Sequence, residues 1–222
     1  VCPECGGIRY FRYDVPFGHP MFGRNFPCPK CNADALVFAS GLNPIERQIT
    51  FADIETQGRT GAAKMLNAAR IFIAGGRCGF LTVHGGFGNG KSTLLKAIVN
   101  DCITAGVDAR YITMTEVMVC AREAFDSQQQ GDSDYGRIAK LAKTTVLVID
   151  ELDKARVTDY AREVQTHLFD VRYRNAHQLG TVVAWNGHFD AIDLPWVRSR
   201  LSAYPVVENT DADMRPLIGG MA

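Results

Sequence analysis

The 222 residues are 46% hydrophobic and 22% charged, a balance that fits one large globular unit with a small appendage and excludes a disordered or fibrous chain. Lys+Arg and Asp+Glu number 24 each, so no global field recruits nucleic acid or an anionic membrane, and contact with a polyanion requires a local patch. The longest apolar runs, such as Val146-Leu147-Val148-Ile149, are strand-sized and no charged-then-apolar leader opens the chain, which makes a cytoplasmic location the expectation; the first residue, Val1, leaves room for a segment upstream.

Four of the seven cysteines form two CxxC pairs, Cys2-Pro-Glu-Cys5 and Cys28-Pro-Lys-Cys31. Each turn brings two thiolates to one point, and four thiolates close a tetrahedral zinc site. The 22 residues between the pairs admit a β-hairpin arm such as Ile8 to Tyr13. An odd cysteine total opposes a disulfide framework, and a redox CxxC needs no second copy. Residues 1–40 are too few for a self-sufficient core, so a structural metal explains how they hold together. His19 reads as a solvated loop histidine, and Tyr10, Phe11, Arg12 and Tyr13 read as mini-core packing or a partner-docking surface. Cys78, Cys102 and Cys120 lie in apolar-patterned segments and read as small buried hydrophobes.

Residues 41–76 form a connector and a leading helix: residues 34–60 lack a strong period, whereas Ala62, Met65, Leu66, Ala69 and Ile73 fall at helical spacing and Gly75-Gly76 ends the run. The remainder, 77–222, carries the chemistry. The apolar run Phe80 to Val83 leads into Gly85-Gly86-Phe87-Gly88-Asn89-Gly90-Lys91-Ser92, which fits the GxxxxGK(S/T) phosphate loop. Glycines let successive backbone N–H groups face phosphate oxygens, and the helix from Ser92 to Cys102, with Thr93 in its first turn, offers its positive end. Lys91 then reaches the β- and γ-phosphates of ATP and Ser92 ligates Mg²⁺.

Ala109 to Met114 reads as a strand, and Thr113 and Glu116 form a capping box for a helix through Phe125. A polar loop covers 126–134, and Ile138 to Lys143 is a short helix. Thr145 to Ile149 is a buried-type strand ending in Asp150-Glu151, the Walker B pattern: Asp150 holds Mg²⁺ through its water shell and Glu151 polarises the attacking water. Thr158 opens a helix with Ala161, Val164, Leu168 and Val171 on one face. Thr181 to Trp185 is a further strand, with Asn186 at its tip set to meet the γ-phosphate or the lytic water. Pro195 to Leu201 is a short helix bearing Arg198 and Arg200, followed by a strand from Tyr204 to Val207. Strands alternating with helices imply an α/β fold with a parallel sheet and its ligand at the strands' carboxyl ends.

From about Phe51 to Glu208 the chain resembles the AAA+ branch that holds the DnaC/DnaI helicase loaders and the IstB-like transposition helpers. The resemblance rests on GGFGNGKS, VLVIDE, the helix segment His167-Leu168-Phe169-Asp170-Val171-Arg172-Tyr173-Arg174, VVAWNG and VRSRL. It implies a P-loop AAA+ (ASCE) sheet flanked by helices, with Asn186 as sensor 1 and Arg200, with Arg198 second, as a finger reaching a neighbouring subunit's γ-phosphate. It further implies a homo-oligomer with ATP at its interfaces, single-stranded DNA, a DnaB-like replicative helicase as partner, and low intrinsic turnover. Two departures stand out: Asp153 replaces the usual turn glycine after the acidic pair, and Trp185 replaces a small residue before the sensor. Arg215 is too thinly patterned to be assigned as a second sensor. An IstB-like helper on duplex DNA is the alternative; a small-molecule kinase, opposed by the acidic pair and the distal Asn and Arg, and a non-hydrolysing adaptor are weaker readings.

Overall fold

The computed structural model describes residues 2–8, 10–12, 14, 16–17, 26–126, 135–154 and 158–215. At the amino end, β1 (Tyr10–Phe11) pairs antiparallel with β2 (Phe26–Pro27). His19 and the loop 127–134 lie outside the described residues.

The segment after β2 departs from the expected connector, because α1 (Pro29–Ala39) runs from within the second CxxC pair to the edge of the following unit. Pro29 at its first turn supplies a preset φ. Its apolar residues are contiguous instead of spaced at a helical period, so Leu36 is buried while Phe38 is 86% exposed, and the sequence carries no amphipathic signal. After two short 3₁₀ turns, α2 (Thr60–Ala74) follows as expected.

Five strands form one parallel sheet: β3 (Gly79–Gly85), β4 (Ala109–Thr113), β5 (Val146–Asp150), β6 (Gly180–Asn186) and β7 (Val206–Asn209), in the order β4-β5-β6-β3-β7. Alternate residues feed two cores. Leu81, Val83, Val146, Val148 and Val182 face α2 and α3 (Lys91–Thr104). Phe80, Leu147, Ile149 and Val183 face α4 (Met114–Asp126), α5 (Tyr135–Lys143), α6 (Asp159–Arg174) and α7 (Pro195–Leu201). Apolar side chains on both faces are what a doubly covered parallel sheet requires. The capping box forms, with Glu116 Oε2 accepting from Thr113 N at 2.7 Å and Thr113 Oγ1 accepting from Glu116 N at 3.2 Å.

β7 begins two residues later than Tyr204. Tyr204 instead packs its ring on Phe80, centroids 5.3 Å apart, and Pro205 has no N–H to give, so it serves the ladder only by accepting from Thr82 N at 3.0 Å. Among the scattered cysteines only Cys102 is buried; Cys78 and Cys120 are half-buried, which corrects their reading as core residues.

β6 lies between β3 and β5, and its register places Asn186 opposite Gly85. A wholly buried arginine on α6 secures where β6 starts. Arg172 Nε donates to Thr181 Oγ1 at 2.7 Å and Nη2 to Gly180 O, while Nη1 reaches the carbonyls of Leu141, Ala142 and Thr144 at 3.3, 3.1 and 2.9 Å. Burial pulls its pKa down to about 10, so it remains a cation at neutral pH. Arg172→Met orphans these acceptors; at roughly 1–3 kcal/mol per unsatisfied buried group, the expected loss is at least about 3 kcal/mol, or roughly 6–12 °C in melting temperature by circular dichroism. Arg172→Lys should recover only part of it, because an ammonium cannot reproduce the guanidinium fork.

Candidate functional site

The turn between β3 and α3 is built from backbone that only glycine tolerates. Gly88 has φ +63° and a Cβ there would collide with the Asp213 carboxylate, while Gly90 caps α3 at φ +94° and a Cβ there would meet no protein atom within 4 Å. The loop therefore presents bare backbone at the head of a helix whose first N–H groups have no intrahelical partner. Lys91 is 5% exposed, and its Nζ donates to Gly85 O at 3.1 Å, to Asn89 Oδ1 at 3.0 Å and to Gly86 O. Burial pulls its pKa down, with Asp150 and Asp153 pushing in the opposite direction. Ser92 is exposed and Thr93 half-buried in the first turn of α3.

Asp150, 3% exposed at the end of β5, accepts the Tyr111 hydroxyl at 2.7 Å and the Glu151 N–H at 2.8 Å. Burial and the Asp150 charge push the Tyr111 phenol pKa up, so it stays a donor. Glu151 has φ +52°, the left-handed region that costs an L-residue about 1–2 kcal/mol. That turn carries the chain away from the sheet into a 3₁₀ turn, Leu152–Lys154. Asp153 in this turn accepts from Asn186, from its backbone N at 3.1 Å and from its side-chain Nδ2 at 3.0 Å.

Gly88, Asn89, Gly90, Lys91, Ser92, Thr93, Asp150, Glu151 and Asn186 line one cavity of about 390 Å³, together with Phe87, which is 56% exposed at the loop tip. Other walls come from segments that carry no motif: Asp53, Ile54 and Glu55 of the connector, Ala62 of α2, and Met214 and Arg215. Gly85 is buried at the end of β3, and neither it nor Gly86 is among the lining residues. A strap after β7 ties these parts together. Asn89 and Asn209 exchange side-chain-to-carbonyl bonds of 3.0 and 2.9 Å, Met214 N donates to Gly88 O at 3.0 Å, and Asp211 accepts the Gly61 and Ala62 N–H groups at the start of α2. Arg59 Nη2 reaches Asn89 O at 3.4 Å. Arg215 pairs with Asp213 at 2.9 Å. Sequence reasoning left Tyr111, Asp153 and the strap unassigned, since each acts through a partner remote in the chain.

Arg198 and Arg200 do not line the cavity. Arg200 pairs with Asp170 at 2.5 Å, donates to Trp196 O at 2.9 Å and stacks over Tyr173 and Trp196; Arg198 donates to Asp190 O.

At the amino end, Cys2 and Cys28 sulfurs are 3.7 Å apart, Cys5 and Cys31 sulfurs 3.4 Å, and all four lie within 4.8 Å of one another. A disulfide needs about 2.05 Å, whereas four thiolates at about 2.3 Å from one zinc ion stand about 3.8 Å apart, so the cluster fits the metal. The donors agree. Backbone N–H groups of Glu4 and Cys5 lower the Cys2 pKa to about 6, while the thiols of Cys5 and Cys2 raise that of Cys31 to about 12, so four thiolates coexist only around a cation.

The family model for the AAA ATPases, the ATPase family associated with various cellular activities, matches residues 81–206. No curated protein sequence matches the chain. Among solved structures the chain is similar to DnaI, at 19% identity and a TM-score of 0.63 over 83% of this chain and 100% of that one. It is similar to the replication initiator DnaA bound to AMPPCP and single-stranded DNA, at 18% and 0.65, over 78% of this chain and 53% of that one. A third is the DnaC helicase loader, at 17% and 0.59, over 76% and 100%. These likenesses are of fold, and the chain spans about half the length of the DnaA structure.

Glu151→Gly should raise the melting temperature by a few degrees, since about 1 kcal/mol of left-handed strain is relieved, even as the side chain is lost; an unchanged or lower value in calorimetry would contradict the strain. Cys28→Ser should drop bound zinc, read by plasma mass spectrometry, from about one equivalent to a small fraction, and open residues 1–40 to limited proteolysis.

Proposed function

Because this chain belongs to the AAA family of ATPases, we propose that it is an ATP-driven loader of a replicative helicase that assembles with copies of itself on single-stranded DNA. The observation that carries the reading is a cavity of about 390 Å³ lined by the phosphate loop, Asp150, Glu151 and Asn186 but by neither Arg198 nor Arg200. A cavity with a phosphate cradle and a water-activating acid, whose lining arginine is Arg215 and not one of the α7 pair, supports a site that Arg200 of a neighbouring copy completes. The likeness to DnaI, to the DnaC helicase loader and to DnaA with AMPPCP and single-stranded DNA supports replication as the setting.

In this reading the loop N–H groups and Lys91 bind the ATP phosphates, Lys91 leaving its loop oxygens for the β- and γ-phosphate oxygens. Ser92 and Asp150 hold Mg²⁺, with Tyr111 fixing the Asp150 carboxylate; the ion supplies neutralisation of phosphate charge. Glu151 orients the water and takes its proton as the water oxygen bonds to the γ-phosphorus and the bond from that phosphorus to the β-phosphate oxygen breaks, releasing ADP. Asn186 holds the water or γ-phosphate from the neighbouring strand. Arg200 of an adjacent subunit, with Arg198 second, meets the charge that develops on the transferred group, after its bond to Asp170 yields. The cysteine module serves as the handle for the partner, and hydrolysis releases the helicase.

Glu151→Gln should bind ATP normally and hold ATP-bound assemblies, seen by light scattering, with turnover down at least about a hundredfold. Arg200→Ala should keep ATP affinity yet lose assembly-stimulated hydrolysis, and mixing it with Glu151→Gln should restore a fraction of the rate through interfaces that pair an intact Arg200 with an intact Glu151. No recovery in the mixture rejects the shared site. A pull-down of a hexameric DnaB-type helicase that is strengthened by ATP, with single-stranded DNA preferred over duplex, tests the loader reading; a duplex preference without helicase capture turns it toward an IstB-like helper.

A further inference from the structure

Asn186 ends the strand between β3 and β5, and its side chain belongs to a group whose two ends are chemically opposite: an accepting oxygen and a donating nitrogen on a torsion with little preference of its own. Which end faces the cavity decides what Asn186 can do there. A carboxylate beside it removes the choice. Asp153 Oδ1 lies 3.0 Å and Oδ2 3.2 Å from Asn186 Nδ2, and Oδ1 also accepts the Asn186 backbone N–H at 3.1 Å. An ionised carboxylate only accepts, so the nitrogen must face Asp153 and the oxygen must face away.

Asp153 sits where the resembling sequences have a turn glycine, and no glycine could make these bonds. The turn that delivers it is set by Glu151, whose positive φ bends the chain out of β5 and whose carbonyl accepts Lys154 N at 2.9 Å. The second departure lies close by: Trp185 and Asp153 both line a separate cavity of about 50 Å³. Arg162 and Asp193, which also line it, pair with each other at 3.2 Å, and among the described residues no Lys or Arg forms an ion pair with Asp153. The carboxylate's hydrogen bonds are thus spent on Asn186.

We infer that Asp153 is a positioning residue for the hydrolysis reaction: it pins the Asn186 carboxamide in one orientation, so that the amide oxygen stays available as an acceptor beside Glu151. Two acceptors in one cavity can take both hydrogens of a water molecule, which leaves an oxygen lone pair for the phosphorus; Glu151 then receives the proton released as the O–P bond forms and the bond to the leaving β-phosphate oxygen breaks. The inference rests on the ATPase reading above and adds a residue that neither motif nor family pattern supplies.

The test is a double-mutant cycle on the full chain with DNA present. Asp153→Ala should lower kcat on the order of tenfold with KM for ATP and the melting temperature little changed, and Asp153→Ala with Asn186→Ala should be no slower than Asn186→Ala alone. Asp153→Asn, which can still accept from Nδ2 but no longer enforces the orientation, should fall between Asp153→Ala and the native protein. Losses that multiply in the double variant would overturn the inference, since Asp153 would then act independently of Asn186. Hydrogen exchange at the Asn186 backbone N–H gives a readout without turnover: Asp153→Ala should speed it while leaving Ala184 protected. A native protein inert toward ATP with DNA and helicase present rejects the ATPase reading, and unchanged exchange at Asn186 rejects the positioning by itself.

Discussion

The guanidinium of Arg172 is the constraint on which the rest hangs. It is a cation without solvent, surrounded by backbone carbonyls of two segments that the chain visits separately: the end of α5 with Thr144 just after it, and the first residue of β6. Burying a charge is unfavourable by several kcal/mol unless every donor is used, and here the donors are spent on acceptors that otherwise would lack partners. The consequence is positional. β6 is held at its start, runs seven residues between two buried strands, and delivers Asn186 to the level of the phosphate loop.

From that strand outward the site is a convergence of short local devices. The phosphate loop is held from outside by the Asn89–Asn209 exchange, and the acid at the end of β5 is held from the neighbouring strand by Tyr111. Tyr111 does a second thing: its backbone N–H donates to Ser40 O at 2.8 Å, and Gly41 has no room for a Cβ against the Tyr111 carbonyl. The residue that closes α1, which starts within the cysteine module, thus abuts the residue that steadies Asp150. The connector that follows α1 lines the cavity through Asp53, Ile54 and Glu55.

How much of this was legible in the sequence follows from what each device needs. The phosphate loop, the acidic pair and the CxxC turns require residues adjacent in the chain, and the structure brings Phe87 to Thr93, Asp150 and Glu151 to one cavity and the four cysteines to one cluster. The alternating strands and helices were equally plain, because a parallel sheet covered on both faces makes every strand an apolar run. Arg172 was visible only as one letter of a helix segment; its role depends on carbonyls about 30 residues away. Asp153 looked like a missing glycine until Asn186 stood beside it. α1 carries no periodic signal because its apolar residues cluster, and β7 starts after Tyr204 because that ring joins an aromatic cluster with Phe80 and Tyr173.

The strap over the phosphate loop bears on how the protein comes into being. Asp211 closes on Gly61 and Ala62 across about 150 positions, and Asn209 on Asn89 across 120. On a ribosome the loop emerges long before the residues that lock it, so a growing chain carries a complete phosphate-binding motif with one wall of its cavity still unmade. A ligand of the cavity stabilises the native state by mass action on the complete site, so the contacts that Asn209, Asp211 and Met214 make with the phosphate loop and the start of α2 tie nucleotide affinity to the docking of the chain's last strand.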